Sequence, residues 1–150
     1  MHKPRIFIDT SVIGGCFDEE FQEWSNKLFE EFVQGKKIAV ISDIATDELS
    51  RADEEIKNKI KEIPSVYLEV VNKNEDIINL ANKYIISKAI SGKYTDDVLH
   101  IAAATIYKAD VLVSWNFKHI VNLRRIKMYN AVNLMNGYSI IEIRTPREVL

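Results

Sequence analysis

The sequence has little of what several large classes of protein require. Its single cysteine, Cys16, excludes an internal disulfide framework and a cysteine-rich zinc site. Three prolines and five glycines exclude collagenous and low-complexity chains. No run approaches the ~20 apolar residues that a membrane-spanning helix needs, and the apolar run before Asp9 is too short for a signal peptide. We therefore expect a cytoplasmic protein in a reducing compartment, with no membrane partner.

Acidic residues are absent from one long stretch of the chain. Residues 111–141 contain no Asp or Glu, whereas Lys118, Arg124, Arg125 and Lys127 all lie there. Residues 1–110 hold 14 Lys and Arg against 20 Asp and Glu, a net of −6, and residues 111–150 hold 6 against 2, a net of +4. A local basic face for nucleic acid is therefore compatible with the pI of about 5.9. A solvated helix face explains the same charges equally well.

The residues that are present describe an ordinary globular domain. The chain has 150 residues and 47% of them are apolar, which is enough to fill a core and excludes intrinsic disorder. We therefore expect one domain spanning residues 1–150, without an internal repeat or a linker.

Short apolar runs alternate with helical periods along the chain. Strands are predicted where β-branched or aromatic runs occur, and helices where apolar residues recur at spacings of three and four. The predicted strands are residues 5–8, 37–42, 66–71, 111–114 and 138–143. The predicted helices are residues 18–34, 43–51, 53–61, 75–91, 96–107 and about 120–133, with Gly35 and Gly92 ending two of them and Thr95 capping a third.

This alternation predicts the class of fold. Strands separated by helices imply right-handed crossovers and a mainly parallel sheet, and fully apolar strands agree because a parallel sheet is covered on both faces. We therefore predict an α/β fold, a three-layer α/β/α sandwich with a short central sheet. Functional groups in such folds lie at the carboxyl ends of the strands.

Polar side chains occur where the predicted strands end. Asp9 and Ser11 follow the first strand, and an unpaired acid directly after an apolar strand contributes nothing to a core, so Asp9 is interpreted as functional. Ser114 and Asn116 mark the end of the fourth strand. Further acids come from the helices on either side of these strands, namely Asp43, Asp47, Glu48, Asp96 and Asp97. Acidic and hydroxyl groups are therefore expected at one edge of the sheet.

Converging carboxylates need compensation. Two of them 4 Å apart repel by roughly 4 kcal/mol at an effective dielectric near 20, and three or four repel by an amount comparable with the about 5–15 kcal/mol that stabilises a domain. Protonation, a lysine or a divalent cation would compensate. Oxygen ligands without paired His or Cys favour Mg²⁺ or Mn²⁺ over zinc. Such ions activate water and hold a phosphate for in-line displacement, so an acidic pocket beside a basic surface is coherent for cutting nucleic acid.

Several of these residues also have ordinary structural explanations. Asp96 or Asp97 can simply favour the positive end of a helix, and Asp97 is predicted to face inward because it begins the apolar stripe of its helix. Asn116 suits a turn. His100 is interpreted as a hydrogen-bonded packing residue, and His119 as a surface or RNA-facing residue.

Three segments carry a family resemblance: IFIDTSVIGG at residues 6–15, SDIATDEL at residues 42–49 and DDVLHIAAATIYKADVLVSWNFKHI at residues 96–120. Their order and spacing resemble the PIN-domain family, and most closely the VapC-type toxins of bacterial toxin–antitoxin pairs. The resemblance implies a three-layer fold with a short parallel sheet and a Mg²⁺- or Mn²⁺-dependent ribonuclease. It also implies frequent homodimers and inhibition by a small antitoxin protein.

Carried over residue by residue, the resemblance implies that Asp9, Glu48 and Asp97 hold the metal and that Ser11 belongs to the site. Many members have an Asp at a fourth position, and this chain has Asn116 there. The replacement removes one negative charge, which predicts a single metal ion or a more selective metal requirement.

The main hypothesis is an endoribonuclease that hydrolyses RNA phosphodiester bonds by metal-activated water. Asn116 and Ser114 would position the water or the scissile phosphate. Arg124, Arg125 and Lys127 are candidates for binding the RNA backbone.

Two other functions stay open. Asn116 is also compatible with a non-catalytic RNA-binding or regulatory module on the same fold, whose RNA binding would be indifferent to EDTA. Phosphoryl transfer through Asp9 is less favoured, because the residue two positions on is Ser11 and not a second acid.

Overall fold

The computed structural model describes residues 2–150, and a parallel sheet organises it. Its strands are β1 (Arg5–Ile8), β2 (Ile38–Ser42), β3 (Leu68–Val71), β4 (Val111–Val113) and β5 (Ile143–Arg144). The strand order is β3-β2-β1-β4-β5, and all four neighbouring pairs are parallel. The earliest strand in the sequence therefore lies in the middle of the sheet.

The α-helices of the described residues cover both faces of this sheet. They are α1 (Thr10–Gly15), α2 (Gln22–Val33), α3 (Asp43–Leu49), α4 (Glu54–Lys61), α5 (Glu75–Ile86), α6 (Thr95–Ile106) and α7 (Leu123–Met135). No helix within residues 2–150 is both long enough and apolar enough to cross a membrane.

Strand register divides the core into two halves. Phe7 pairs with Val40 and with Leu112, so these three side chains share one face and pack against α5, α6 and α7. Ile6 and Ile8 point to the opposite face, where they pack against α1, α2 and α4. Both faces are buried, as a parallel sheet requires. The predicted three-layer α/β/α sandwich with a short parallel sheet is confirmed.

The ends of several elements differ from the sequence prediction. Helix α2 begins at Gln22 and not at residue 18, because Asp18 makes a turn in which its side chain accepts the Glu20 N–H at 2.8 Å. Helix α5 ends at Ile86 and not at residue 91, because Lys88 adopts the left-handed conformation, with φ of 63°. Helix α7 begins at Leu123, three residues later than predicted.

Other predictions were wrong about the element itself. Helix α1 was not predicted at all. Thr95 does not cap α6, since it is the first residue of that helix and its hydroxyl donates to the Gly92 carbonyl at 3.1 Å. Residues 65–67 form a 3₁₀ turn before β3, and residues 138–142 are not strand, which leaves only two residues in β5.

Candidate active site

Asp9 lies at the carboxyl end of β1, where the central strand meets α1. The residue is only 4% exposed, and both of its carboxylate oxygens accept hydrogen bonds. Oδ1 accepts from the Ser11 hydroxyl at 2.6 Å and from the Val12 N–H at 3.3 Å, and Oδ2 accepts from the Ser114 hydroxyl at 2.6 Å. Burial raises the pKa of Asp9, and the charge of His100 and these hydrogen bonds oppose that rise only in part.

The expectation that Asp9 has no structural role was wrong. It is the N-cap of α1, and its bond from the Val12 N–H satisfies one of the donors that a helix start leaves free. The cap accounts for the position of Asp9 but not for its surroundings, because an exposed Ser, Thr or Asn would cap as well without the penalty of burial.

Glu48 reaches the same edge from α3 and meets a buried histidine of α6. His100 is 3% exposed, and its Nε2 lies 3.1 Å from Oε1 of Glu48. Burial lowers the pKa of His100, but the hydrogen bond to Glu48 and the charges of Asp9, Glu48 and Asp97 bring it above its ordinary value. Burial raises the pKa of Glu48, but His100, Thr10 and Arg51 together outweigh it, so the net shift is downward. His100 is the hydrogen-bonded packing residue that was predicted, and it also compensates three acids.

Asp97 is paired with a second histidine. Its Oδ2 lies 3.2 Å from Nδ1 of His119, and the His119 ring packs against Tyr94 with a 3.7 Å centroid distance. Burial raises the pKa of Asp97, as does the charge of Asp9, whereas His119, His100 and Asn116 act in the opposite direction. The prediction that His119 lies on the surface was wrong, because the residue is 7% exposed.

Asn116 combines a turn with a place beside the acids. Its backbone N–H donates to the Ser114 hydroxyl at 2.9 Å, and its side-chain oxygen accepts the His119 N–H at 3.0 Å. The side-chain oxygen is therefore committed to the loop, and the amide nitrogen is the group left to act on Asp97. The turn interpretation of Asn116 is correct, and the loop from Ser114 to His119 holds it next to the site.

Trp115 donates hydrogen bonds to two serine hydroxyls near the site, those of Ser11 and Ser25. Its backbone N–H donates to Ser11 Oγ at 2.9 Å, and its indole N–H donates to Ser25 Oγ at 2.8 Å. Ser25 in turn donates to the Val12 carbonyl at 2.9 Å. A Cβ on Gly15 would lie 2.7 Å from both Ser25 Oγ and Trp115 Nε1, so this close approach requires glycine. The sequence shows a Gly14-Gly15 pair but does not reveal this contact.

The remaining acids of the edge have other surroundings. Asp43 accepts the Lys73 N–H at 3.0 Å and so joins α3 to the segment after β3. Asp47 and Asp96 are exposed, whereas Asp97 is half-buried against His119. The structure thus brings Asp9, Glu48 and Asp97 together around His100 and leaves Asp47 and Asp96 outside.

The polar groups left over at this edge indicate what the site would accept. Within residues 2–150, the buried side-chain atoms without a hydrogen-bond partner are Thr10 Oγ1, His100 Nδ1 and His119 Nε2. Thr10 follows Asp9, and both histidines contact site carboxylates. Unsatisfied buried polar atoms are rare in folded proteins and often mark a missing water or ion. Carboxylate and hydroxyl oxygens are the donors that Mg²⁺ and Mn²⁺ prefer, so the donor set fits such an ion.

The described side chains do not form a ready-made coordination group for a cation. Among residues 2–150, no three His, Cys, Asp or Glu side chains converge closely enough to form a coordination group. The physical reason is visible in the contacts: serine hydroxyls hold Asp9, and one histidine each holds Glu48 and Asp97.

The predicted backbone-binding cations lie on α7, beyond the loop that carries Asn116 and His119. Arg125 is partly buried and donates from Nη1 to the Ala89 carbonyl at 2.9 Å. Arg124 and Lys127 are exposed.

Comparison with known proteins rests on structure alone. No protein-family model matches the sequence, and no curated protein matches it either. Among solved structures, VapC20 from Mycobacterium tuberculosis, described as a Sarcin-Ricin loop cleaving toxin, superposes with a TM-score of 0.58 at 12% identity, over 76% of this chain and 92% of that chain. A chain of VapBC2 from Rickettsia felis, bound to a DNA fragment from their promoter, gives 0.58 at 16% identity, over 94% and 98%. Identities this low establish the fold alone, and the fold of this chain is the PIN-like α/β/α sandwich of the VapC toxins.

Proposed function

We propose that this protein is a metal-dependent endoribonuclease, a toxin of the VapC type that hydrolyses RNA phosphodiester bonds. The observation that carries the proposal is that the charges of Asp9, Glu48 and Asp97 all act on one buried imidazole, His100, which Glu48 contacts at 3.1 Å, with unsatisfied polar atoms beside them. Burying three acids costs stability even with a histidine to compensate them, and such costly polar clusters are typical of functional sites. The fold likeness to VapC20, itself described as a cleaving toxin, supports the same conclusion.

Asp9, Glu48 and Asp97 would hold Mg²⁺ or Mn²⁺. The ion, when bound, supplies a Lewis acid that activates water and offsets the charge of the phosphate. Ser11 and Ser114 keep both oxygens of Asp9 in one orientation. Ser114 and Asn116 would orient the attacking water or the scissile phosphate, and with Asn116 in place of an acid the site carries one negative charge fewer. A single metal ion is therefore the stoichiometry that we propose.

A small antitoxin protein is the partner that we propose for this chain. The support is the likeness to VapBC2, which is a complex bound to promoter DNA. We also propose that the protein forms homodimers.

The test is cleavage of RNA by purified protein, freed of any co-purifying partner, in Mg²⁺, in Mn²⁺ and in EDTA. Asp9→Asn is the informative variant, because asparagine caps a helix as well as aspartate does and should leave α1 intact. Asp43→Asn is its matched control, since Asp43 lies at the same edge and bonds a backbone N–H.

We expect metal-dependent cutting that Asp9→Asn abolishes and Asp43→Asn preserves. Full activity of Asp9→Asn with unchanged metal dependence would refute the assignment. RNA binding without cutting in any metal would instead favour the non-catalytic RNA-binding module.

A further inference from the structure

A concave feature whose charged residues are all basic lies where the loop from the acidic site meets α7. It is a cavity of about 320 Å³ between the turn after α5 and the first turn of α7. Four cationic side chains line it, Lys88, Lys118, Arg124 and Arg125, together with the polar Asn122. The lining contains no carboxylate, so the cavity has one sign of charge throughout.

The four cations are not neutralised by the protein. Some lysines elsewhere pair with acids, for example Lys37 with Glu31 and Lys59 with Glu62, and others do not. Within the described part of the chain, none of the four cavity cations has a carboxylate within 4.0 Å. Three of the four, Lys118, Arg124 and Arg125, lie in residues 111–141, where the sequence has no acid. Unpaired like charges around one cavity favour an anion there.

The shape of the cavity is held by backbone contacts. Lys88 is in the left-handed conformation, which ends α5 and turns the chain so that Ala89 is buried. The Ala89 carbonyl accepts Arg125 Nη1 at 2.9 Å, which ties this turn to α7. Asn122 caps α7 by accepting the Arg125 N–H at 3.2 Å. The N–H groups of Leu123 and Arg124 lack intrahelical acceptors at this position, and the positive end of the helix dipole adds to the basic lining.

The position of the cavity indicates its occupant. Lys118 and Asn122 belong to the segment that begins with Ser114, Asn116 and His119, all of which contact the acidic site or its neighbours. Only Phe117 lies between Asn116 and Lys118, so their Cα atoms cannot be more than about 7 Å apart. An RNA strand whose scissile phosphate lies at the carboxylates would therefore carry a neighbouring phosphate past these cations.

We propose that this cavity binds a backbone phosphate of RNA adjacent to the scissile one, which rests on the ribonuclease function proposed above. Arg124 and Arg125 act here together with Lys88 and Lys118. Lys127, which the sequence also placed in this role, does not line the cavity and takes no part.

The experiment measures RNA affinity without cleavage. Fluorescence anisotropy of a labelled single-stranded RNA is recorded with the Asp9→Asn protein in EDTA, and Lys118→Gln and Arg124→Gln are added together. Both side chains are exposed, so folding should be retained, and thermal melting checks this. Lys127→Gln in the same background is the matched control, because it removes a charge from the same helix outside the cavity.

We expect the double variant to weaken RNA binding by about tenfold or more and to lower the slope of log affinity against log salt by roughly 0.7, since losing the one phosphate contact in the cavity removes about 0.7 for single strands. Lys127→Gln should change affinity by less than about twofold. Equal affinities of the double variant and the Lys127→Gln control would overturn the proposal. A second outcome would also overturn it. If the double variant no longer binds inorganic phosphate but binds RNA with unchanged affinity, the cavity serves a free anion and not the RNA backbone.

Cleavage by the wild-type protein separates this proposal from the function it rests on. If the wild-type protein does not cut RNA but the double variant still weakens RNA binding, the ribonuclease proposal fails and the phosphate cavity stands. If the wild-type protein cuts RNA and the double variant binds it normally, only the cavity proposal fails.

Discussion

Two adjacent aspartates at the start of α6 have opposite surroundings, and residue-scale experiments can use this difference. Asp97 pairs with His119 and is half-buried, whereas Asp96 is exposed. If Asp97 holds the metal, Asp97→Asn should reduce cleavage by about 100-fold or more, because a metal ion supplies several kcal/mol of transition-state stabilisation. Asp96→Asn should stay within about twofold. Initial rates at several Mn²⁺ concentrations measure both, and equal losses in the two variants would contradict the assignment of Asp97.

The single cysteine provides a second residue-scale prediction. Burial raises the pKa of the Cys16 thiol to about 12, and the side chain is 5% exposed. At pH 8 its thiolate fraction is therefore smaller than that of a free cysteine by a factor on the order of a thousand, and a thiol reagent should react correspondingly slowly. The reaction should be complete within minutes once guanidinium unfolds the chain. Rapid modification of the native protein would show that the corner between α1 and α2 opens.

The strand and helix pattern placed Asp9 and Asp97 at this edge, the family resemblance selected Glu48, and neither revealed the partner of Asp97. Asp9 and Asp97 follow from the ends of strands and helices, which the sequence marks. His119 was misassigned because its neighbours, Asp97 and Tyr94, come from another helix and from the turn before it. A contact over more than twenty residues leaves no local signal in a single sequence.

Among the elements, α1 depends most on its tertiary contacts. It has six residues and ends in two glycines, so local propensity does not favour a helix there. The Asp9 cap and the packing of Gly15 under Trp115 stabilise it instead. The end of α5 is also not marked by the apolar pattern, which continues past Ile86. The helix stops because Lys88 adopts the left-handed conformation. The strands of the core were predicted closely because burial on both faces gives them continuous apolar runs.

The two glycines of α1 give a matched pair of variants. Gly15→Ala would push a methyl group to 2.7 Å from Trp115 Nε1 and Ser25 Oγ, and overpacking of this kind costs about 1–3 kcal/mol of unfolding free energy. Gly14→Ala meets nothing within 4 Å, and in a helix it should stabilise by about 0.4–1 kcal/mol. The melting temperature should fall for Gly15→Ala and rise for Gly14→Ala. An unchanged melting temperature for Gly15→Ala would show that Trp115 can shift at little cost in stability.

For the whole molecule, the separation of charge matters more than its sum. The net charge is −2, but residues 111–150 carry a net charge of +4, with 6 Lys and Arg against 2 Asp and Glu, and the cavity cations lack acidic partners. Binding of single-stranded RNA to the Asp9→Asn protein in EDTA should therefore weaken steeply with salt. With four phosphate contacts, raising NaCl from about 50 to about 200 mM should reduce affinity roughly 50-fold. An affinity independent of salt would mean that these cations make no net contacts with RNA phosphates.

The strand order also sets when the protein becomes functional during synthesis. Asp9 is synthesised well before its partner Ser114, which lies 105 residues further on. At about 5–20 residues per second, a ribosome needs roughly 5–20 s to cover that interval. Throughout this interval the middle strand β1 cannot pair with β4, which has not been completed. Asp97 and His119 are also synthesised long after Asp9. A nascent chain of the proposed ribonuclease therefore has no assembled site while most of it is being translated, and chains that terminate early would be harmless to the RNA around them.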